Sequence, residues 1–450
     1  MFGMLKTDFS KLKSERIGSG TFGAKTTELD RFKDAAEKAK VIVPPYVSLP
    51  FDFFTPALVR NGFLIETGIY TGKAHQRQSG AGNLIEFTQE EKKTIIEAFS
   101  RFMDFIVAVR SDELTAKGVG VFSTKFVRVT KKSLEDGTIF NILSDILANQ
   151  FNPNANAFKR RMNMSHGIGI QIMPLAADGF GGFFESAILY PRTSIAGFTA
   201  REKEKAILNV GFGIGGGVSA HAAMKIFEKG KIVSNGQHNA IGVTTYLESR
   251  TGTITYTTEL IYRFEERARR NIAEVVEKVL KIANITGTDI YFEIQSTPNG
   301  WALTQISAHA WPKIEKPQGE EIELPRHPTY FNENWVVGSG IVSCNGVEEI
   351  YLEKKLDANL SQKLVITDSR EPHNLDSDNF HLYEKAGAII DFRIHRSLGL
   401  FSSHVAGLFR EVGIPVLNAD FSYAPNHLEQ AKLFYVWADE LNQKAGIVLP

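Results

Sequence analysis

The sequence predicts a mixed α/β protein with two folded regions, on three observations. Short apolar runs with strand character, such as Phe105 to Val109, alternate with stretches whose apolar residues recur at helical spacing, such as Tyr262 to Asn284. The 450 residues are enough for two or three compact regions, each with its own core. Segment 313–330 is rich in proline and glutamate and lacks helical or strand periodicity, which predicts a semi-rigid linker.

Composition and charge exclude several classes of partner. Lysine plus arginine equal aspartate plus glutamate at 51 each, so nothing points to nucleic acid or to an acidic surface. The single cysteine, Cys344, excludes an internal disulfide framework and fits a reducing compartment. No apolar run reaches membrane-spanning length, and the first residues lack the apolar stretch of a signal peptide. We expect a cytoplasmic protein, with no membrane or nucleic-acid partner, that binds a small molecule or another protein.

A glycine-rich loop near the N-terminus is the first candidate ligand site. Residues 17–23 read IGSGTFG and precede a helical pattern from Ala24 through Phe32, with Lys25 in its first turn. Such a loop can wrap a phosphate at the N-terminus of a helix, and the lysine supplies a countercharge. The alternative is an ordinary surface turn.

The middle of the chain predicts a framework of helices and strands. Glu90 to Met103 has the pattern of an amphipathic helix, and the strand that begins at Phe105 ends at Arg110 and Ser111. The glycines between 211 and 217 indicate a tight backbone region, because their spacing is wrong for a dinucleotide-binding fingerprint.

A long helix and a hairpin close the first region. Tyr262 to Asn284 carries its apolar residues on one side, which predicts a structural amphipathic helix. The strands Asp289 to Gln295 and Trp301 to Ile306 form the hairpin, and the turn lies within residues 297–300.

One histidine of the second region, His404, is a candidate nucleophile. It follows two serines that are natural N-caps, so it is expected in the first turn of a small helix whose pattern ends at Gly413. A helix N-terminus favours a phosphoryl group, and a neutral imidazole is a competent nucleophile near pH 7. The alternative is a capping or surface histidine.

The residues around His404 resemble a known domain. The run AGAIIDFRIHRSLGLFSSHVAGLFREVGIPVL is similar to the phosphohistidine (swivelling) domain of the phosphoenolpyruvate synthase and pyruvate phosphate dikinase family. Three short motifs match, namely Ser402-Ser403-His404 for T-S-H, Arg410-Glu411 for R-E and Gly413-Ile414-Pro415 for G-I-P; of a glycine pair only Gly399 is kept. The resemblance implies that His404 is phosphorylated.

The first region resembles the ATP-grasp domain of the same family. RIGSGTFGAKTTEL is similar to its glycine-rich opening, AVRSD to its V-R-S-S and GIQIMP to its V-Q-x-M-V segment. The resemblance implies that Lys25 and Arg110 bind ATP phosphates and that Gln171 and Met173 lie beside adenine. A planar guanidinium suits phosphate better than a point charge, although an arginine paired with a nearby carboxylate is the alternative for Arg110.

The hairpin departs from the family at two positions. YFEIQSTPNGWALTQIS is similar to the segment that holds magnesium and a catalytic arginine in these kinases. Glu293 and Gln305 match family residues and are implied to bind ATP, and Glu293, Gln295 and Gln305 are implied to share the magnesium ion. Gln295, however, stands where the family has a glutamate, and Ser307 stands where it has the arginine. A neutral amide and a hydroxyl are poor substitutes for these groups.

The resemblance implies an α+β ATP-grasp domain at 1–312, the linker at 313–330 and a small swivelling β/α phosphohistidine domain at 331–450. It implies an ATP-dependent phosphotransferase of the dikinase type, with ATP and Mg²⁺ bound and AMP and phosphate released. The family continues into a barrel that binds pyruvate or phosphoenolpyruvate, so we expect a small-molecule acceptor or a separate acceptor subunit; a homodimer is left open. The alternatives are a catalytically weakened nucleotide-binding regulator or carrier, and a nucleotide-independent structural protein.

Overall fold

The described chain contains both helices and strands in every major part, which confirms the predicted mixed α/β class. The computed structural model describes residues 8–63, 85–113, 124–163, 167–177, 179–183, 186–190, 193–211, 213, 223–235, 241–248, 254–260, 264–322, 339–350, 360–367, 380–391, 404–418 and 433–450. Within these ranges, no helix is long and apolar enough to cross a membrane.

All four helices that the sequence predicts are present, with bounds that differ at their ends. The helices of the described ranges are α1 (Ala24–Lys38), α2 (Phe51–Arg60), α3 (Gln89–Ser100), α4 (Lys131–Glu135), α5 (Thr138–Asn149), α6 (Pro153–Arg161), α7 (Phe264–Thr286), α8 (Phe380–Tyr383) and α9 (His404–Glu411). Thr88 and Glu91 form a capping box at the start of α3, and Asn152 caps α6, which has proline at its first position.

The strands form five sheets in the described residues. They are β1 (Glu15–Arg16), β2 (Val47–Leu49), β3 (Ile106–Glu113), β4 (Thr124–Arg128), β5 (Ile168–Pro174), β6 (Gly179–Phe183), β7 (Ser186–Tyr190), β8 (Ser194–Ala200), β9 (Lys205–Gly211), β10 (Ala223–Glu228), β11 (Lys231–Asn235), β12 (Ile241–Glu248), β13 (Ile254–Leu260), β14 (Asp289–Thr297), β15 (Gly300–His309), β16 (Glu320–Ile322), β17 (Gly340–Cys344), β18 (Val347–Ile350), β19 (Leu364–Thr367), β20 (Ala388–Asp391), β21 (Val416–Asn418), β22 (Phe434–Asp439) and β23 (Lys444–Leu449).

Two sheets of the first region frame the candidate site. The N-terminal sheet has the order β1-β2-β5-β3-β4, and the central sheet has the order β11-β10-β9-β8-β14-β15. The predicted hairpin is confirmed as β14 and β15, which pair from Asp289 with His309 to Thr297 with Gly300. Helices α1 and α7 pack on the apolar face of the central sheet, where Phe32, Val276 and Phe292 lie in one buried cluster. A further sheet of the first region has the order β13-β12-β7-β6.

Strand β3 extends further than its apolar run. The sequence predicts an end at Arg110 and Ser111, whereas the strand pairs with β5 as far as Glu113 opposite Ile168. Its last residues are polar but buried, because they face the N-terminus of α1 and bond to it. Hydrophobicity therefore does not mark this strand end.

The second region contains two small sheets. β18, β19, β20 and β21 are parallel neighbours, and α9 is the crossover from β20 to β21. The other sheet is antiparallel, in the order β16-β23-β22-β17. Its edge strand β16 lies inside the predicted linker 313–330, so the expectation that this segment has no strand is wrong at Glu320–Ile322. A strand of three residues is too short to show a hydrophobic period in the sequence. The residue before it, Gly319, must be glycine, because its φ is +142° and a Cβ would lie 1.9 Å from the carbonyl oxygen of Leu449.

An apolar joint connects the two regions. Phe158 on α6, Phe380 on α8 and Phe409 on α9 are each 0 % exposed, and their rings follow one another at centroid distances of 6.4 and 5.4 Å. The rim is polar: the backbone N–H of His381 donates to Asn154 at 2.9 Å, and Arg160 pairs with Glu384 at 2.8 Å. Burial of each phenylalanine is worth about 1.5–3 kcal/mol, so this joint holds α9 firmly against the first region.

Candidate functional site

The central sheet presents a polar face on the side away from α1 and α7. Along β14, Ile290, Phe292 and Ile294 enter the apolar core. The alternate residues Tyr291, Glu293 and Gln295 therefore project from the opposite face. Residues directly opposite one another on antiparallel strands share a face, so four more polar residues belong with them: Ser194, Asn209, Gln305 and Ser307. The same pairing places the apolar residues Ala196, Phe198, Ile207 and Ala302 on this side of the sheet. We call the seven polar residues the polar face.

Glu293 is the carboxylate of the polar face. It lies opposite Gln305, and the hydroxyl of Tyr291 donates to its Oε1 at 2.8 Å. Burial raises the pKa of Tyr291 well above its usual range, and the charge of Glu293 adds to this effect. Two guanidinium groups, those of Arg410 and Arg110, act on the Tyr291 pKa in the opposite direction. Both arginines are therefore near enough to Tyr291 to act on it electrostatically.

Arg110 joins the two sheets. From β3 its guanidinium donates to the carbonyl oxygen of Thr304 at 2.6 Å and to Oε1 of Gln305 at 2.5 Å. Thr304 is available because the β14–β15 register shifts after Glu293, a bulge that leaves this residue outside the ladder. Among the described residues Arg110 has no carboxylate partner of the kind the alternative requires. Both of these partners are neutral, so they do not cancel its positive charge.

Lys25 lies where the sequence predicts it, in the first turn of α1. Its Nζ pairs with Oε1 of Glu113 at 2.5 Å, and its backbone N–H donates to Asp112 at 2.9 Å. The hydroxyl of Thr26 donates to the other oxygen of Asp112 at 2.5 Å. Gly23, the N-cap, is needed here because a Cβ would lie 2.3 Å from the Asp112 carboxyl group. The helix N-terminus is thus capped by a carboxylate from β3.

Gln171 and Met173 lie on β5 beneath α1. Gln171 is opposite both Ser48 and Arg110, and its Nε2 donates to Thr26 Oγ1 at 3.2 Å. Its Oε1 is buried and has no hydrogen-bond partner among the described residues. Met173 is 2 % exposed and packs in the core shared with α1 and α7. Both positions suit packing in this structure, and the adenine contact predicted for them stays a prediction.

The second region covers one end of the polar face. Arg410 on α9 places its guanidinium carbon 4.7 Å from the ring centre of Phe198, the cross-strand neighbour of Tyr291. Its charge pairs with Glu440 at 2.5 Å, and both side chains are nearly inaccessible. Beside this pair, Lys205 Nζ donates to the carbonyl oxygen of Leu441 at 2.6 Å. Helix α9 begins at His404. The serines expected to cap it, Ser402 and Ser403, and Gly399 lie outside the described residues.

The three residues predicted to share magnesium do not fit an ion held by the protein alone. Glu293 is the one carboxylate among them, and the side-chain oxygen of Gln305 already accepts from the Arg110 guanidinium. Oε1 of Gln295 is buried without a hydrogen-bond partner among the described residues, but it belongs to a neutral amide. The described residues also contain no cluster of three or more histidine, cysteine, aspartate or glutamate side chains suited to a metal. Magnesium normally takes one or two carboxylates together with substrate phosphates.

Sequence reasoning missed Asp112, Glu113 and Tyr291. The first two continue β3 beyond its apolar run, and their contacts with α1 join residues 86 to 88 positions apart. Tyr291 was available as a signal, since it alternates with Glu293 and Gln295 on a strand where Ile290, Phe292 and Ile294 occupy the positions between and before them. The structure makes neighbours of five predicted site residues. Gln171 bonds to Thr26 beside Lys25 and lies opposite Arg110. Arg110 in turn bonds to Gln305, which lies opposite Glu293.

Comparisons with known proteins add little to this description of the site. A scan against protein families found no match, and a search of curated proteins found none. Among solved structures, an L-amino acid ligase from Bacillus licheniformis aligns with 63% of this chain at 10% identity and a TM-score of 0.24. The alignment spans 44% of that enzyme, less than half of its length. A likeness of this size carries no argument about the fold or the activity of the chain.

Proposed function

We propose that this chain is an ATP-dependent phosphotransferase of the dikinase type, which passes a phosphoryl group from ATP through His404 to an acceptor. The observation that carries the proposal is the docking of α9 at the polar face. Arg410, on the helix that begins at His404, lies over Phe198, whose cross-strand neighbour Tyr291 is bonded to Glu293. The helix that bears the candidate nucleophile therefore packs against the sheet that carries Glu293 and Gln305, two of the candidate nucleotide-binding residues.

The charges near the polar face support binding of phosphate groups. Among the described residues Arg110 bonds to neutral partners, so its positive charge is available to an anionic ligand. In the proposed reaction Arg110 and Lys25 orient the phosphates of ATP, Gln171 and Met173 lie on the adenine side, and Glu293 with Gln305 completes the nucleotide site. Preorganised cations of this kind stabilise charge that develops on phosphoryl oxygens. Magnesium, which the resemblance implies, enters here only with the nucleotide phosphates, and no step depends on it.

The proposed reaction has three steps. The neutral imidazole of His404 attacks the β-phosphorus of ATP, the bond from that phosphorus to the oxygen shared with the α-phosphate breaks, and AMP leaves. Water or phosphate then attacks the terminal phosphorus of the pyrophosphoryl-histidine, which releases phosphate or pyrophosphate. The remaining phosphoryl group passes from His404 to a small molecule or to an acceptor site on a separate subunit.

A second candidate function is a nucleotide-binding regulator or phosphocarrier with little turnover of its own. The observation that favours it is the composition of the polar face, where Gln295 and Ser307 stand in place of a carboxylate and an arginine and Glu293 is the one acidic group. This chain would bind nucleotide through Lys25 and Arg110 and report it to a partner through the joint with the second region.

The experiment that separates the two uses ATP labelled in the β-phosphate. Incubation of the wild-type chain should give acid-labile, alkali-stable label on protein and release AMP, whereas His404→Ala should give neither. A matched histidine variant, His381→Gln, changes a ring that contacts Asn154 at the joint and should keep the label. Label on His404→Ala equal to wild type would refute the role of His404. Absence of label on a wild-type chain that binds ATP would favour the regulator.

A further inference from the structure

The glycine-rich loop and the start of α1 already hold anions, and these belong to the chain itself. The backbone N–H of Thr21 donates to Asp52 at 2.7 Å, and that of Lys25 donates to Asp112 at 2.9 Å. Lys25 Nζ lies 2.5 Å from Oε1 of Glu113. The sequence predicts that the loop N–H, the helix N–H and the lysine bind a ligand phosphate. In the structure a carboxylate of the chain binds each of these three groups.

The local charge balance opposes a phosphate in this arrangement. Lys25 contributes one positive charge and the helix N-terminus about half of one. Asp112 and Glu113 contribute up to two negative charges and are 1 % and 2 % exposed, so water screens them weakly. A phosphate group that approaches Lys25 therefore meets a negative environment for as long as both carboxylates are charged and in place.

The two carboxylates differ in how tightly the fold holds them. Asp112 accepts from the N–H of Lys25 and, through its second oxygen, from the hydroxyl of Thr26, and it fills the space beside Gly23. It is a structural cap. Glu113 uses only Oε1, and its buried Oε2 has no hydrogen-bond partner among the described residues. Burial raises the pKa of Glu113, and Lys25 acts in the opposite direction. Among the described residues, Lys25 is therefore the side-chain partner that holds the Glu113 carboxylate.

We infer that Glu113 sets the affinity of the nucleotide site by holding Lys25 in the place of a ligand phosphate, so that a polyphosphate must displace Glu113 to be bound. This inference rests on the proposed function, since it assigns Lys25 to the phosphates of ATP. A triphosphate carries several negative charges and three-oxygen groups, and it can outcompete a single carboxylate for the ammonium group. Glu113 is therefore a residue that acts on the ligand through Lys25.

The direction in which one substitution changes ATP affinity tests the inference. Glu113→Gln keeps the side-chain shape and removes its charge, and we expect it to tighten ATP binding by about tenfold, which corresponds to roughly 1.4 kcal/mol. Titration calorimetry on the full chain measures this, and the melting temperature reports whether the variant is folded. In a Lys25→Met background the gain from Glu113→Gln should disappear, because the gain acts through the lysine. The matched control is Glu384→Gln, which removes the charge of a carboxylate that pairs with Arg160 at the joint and should leave ATP affinity unchanged.

The outcomes separate this inference from the proposed function. If wild type binds ATP and Glu113→Gln binds it equally or more weakly, the inference is wrong and the proposed function stands. If neither folded protein binds ATP, the proposed function itself fails. If Glu113→Gln does not fold, Glu113→Asp serves instead, because the shorter side chain withdraws the carboxylate from Lys25. That variant should also bind ATP more tightly than wild type, and unchanged or weaker binding would count against the inference.

Discussion

The guanidinium of Arg110 on β3 donates a hydrogen bond to the side-chain oxygen of Gln305 on β15, at 2.5 Å. This bond joins the N-terminal sheet to the central sheet. The two residues are 195 positions apart in the chain. A second bond from the same guanidinium reaches the carbonyl oxygen of Thr304, so the planar fork spans two acceptors at once. The relative position of the two sheets at the candidate site therefore depends on this arginine.

Arg110→Lys should weaken ATP binding by roughly tenfold, because an ammonium group cannot span both acceptors and offers phosphate a single point of contact. Titration calorimetry with ATP measures the change. The matched control is Arg101→Lys, whose guanidinium is 37% exposed and pairs with Glu15, and which should bind ATP as wild type does. Equal ATP affinity for Arg110→Lys and wild type would contradict a role for Arg110 at the phosphates.

Gln295→Glu tests whether the polar face can be made to hold magnesium. A carboxylate there would stand beside Glu293 on β14 and give the pair of acidic oxygens that the ion prefers. Because position 295 is only 8% exposed, the new charge should lower stability by roughly 2–3 kcal/mol in EDTA. Magnesium chloride should restore the melting temperature of this variant and leave that of wild type unchanged.

The control for this prediction is Gln443→Glu, at another buried glutamine, 5% exposed, whose side-chain oxygen also has no partner among the described residues. It should lose stability without any recovery in magnesium chloride. If magnesium raised the melting temperature of wild type, Glu293 with the neutral side chains of Gln295 and Gln305 would be sufficient to bind the ion.

Local signals predicted much of the fold. The period of apolar residues indicated α1, α7 and the β14–β15 hairpin, and glycine or proline marked several of their ends. The linker strand β16 could not be predicted in this way, since its pairing with β23 depends on residues far along the chain. Strand β3 was predicted too short for a related reason: its polar end is buried by contacts with α1, and hydrophobicity does not record such contacts.

The candidate site was predictable residue by residue but not as an arrangement. The family resemblance nominated Lys25 and Arg110, and the structure gives the first an acidic partner and the second neutral ones. These partners are long-range, so no spacing within the sequence indicates them. The position of α9 over Phe198 is likewise a property of packing between the two regions. Whether His404 is phosphorylated stays a prediction.

Arg410→Met should lower the free energy of unfolding by about 3–5 kcal/mol, because it leaves the carboxylate of Glu440 buried without its charged partner. Glu440 is 1% exposed, and its remaining side-chain partner among the described residues is Ser339. The double variant Arg410→Met/Glu440→Leu should recover most of the loss, since it removes the unpaired charge. Urea denaturation of the two variants and wild type measures this. A double variant as unstable as the single one would show that packing on Phe198, and not the ion pair, accounts for the effect.

Phe158 and Phe380 should be energetically coupled across the joint. Each is fully buried, so Phe158→Ala and Phe380→Ala should each cost about 3–5 kcal/mol. The double variant should cost less than the sum, by about 0.5–1.5 kcal/mol, because the first truncation removes the ring contact that the second would break. Urea denaturation of the four proteins completes the cycle. Arg160→Ala, at an exposed ion pair with Glu384 on the same joint, should change stability by less than about 1 kcal/mol. Additive losses from the two phenylalanines would argue that the regions are stabilised independently.

Lys159 on α6 should give the chain a stability that rises with pH. It is 2% exposed, and burial lowers its pKa to about 7 from an ordinary value of 10.5. Between these values the unfolded chain binds a proton at this lysine that the folded chain does not, so the free energy of unfolding rises by up to about 1.4 kcal/mol for each pH unit. Below pH 7 both states are protonated and the contribution stays constant.

Lys159→Met isolates this contribution, because it removes the titration while keeping an unbranched side chain in the core. The free energy of unfolding of wild type minus that of the variant should rise from pH 7.5 to 9.5, as measured by urea denaturation at each pH. The control is Lys131→Met, at a lysine that is 85% exposed. The free energy of unfolding of wild type minus that of this control should not change over the same pH range. A flat difference for Lys159→Met as well would mean that the buried lysine stays charged in the folded chain, with its hydrogen bond to the Gln150 carbonyl compensating for lost hydration.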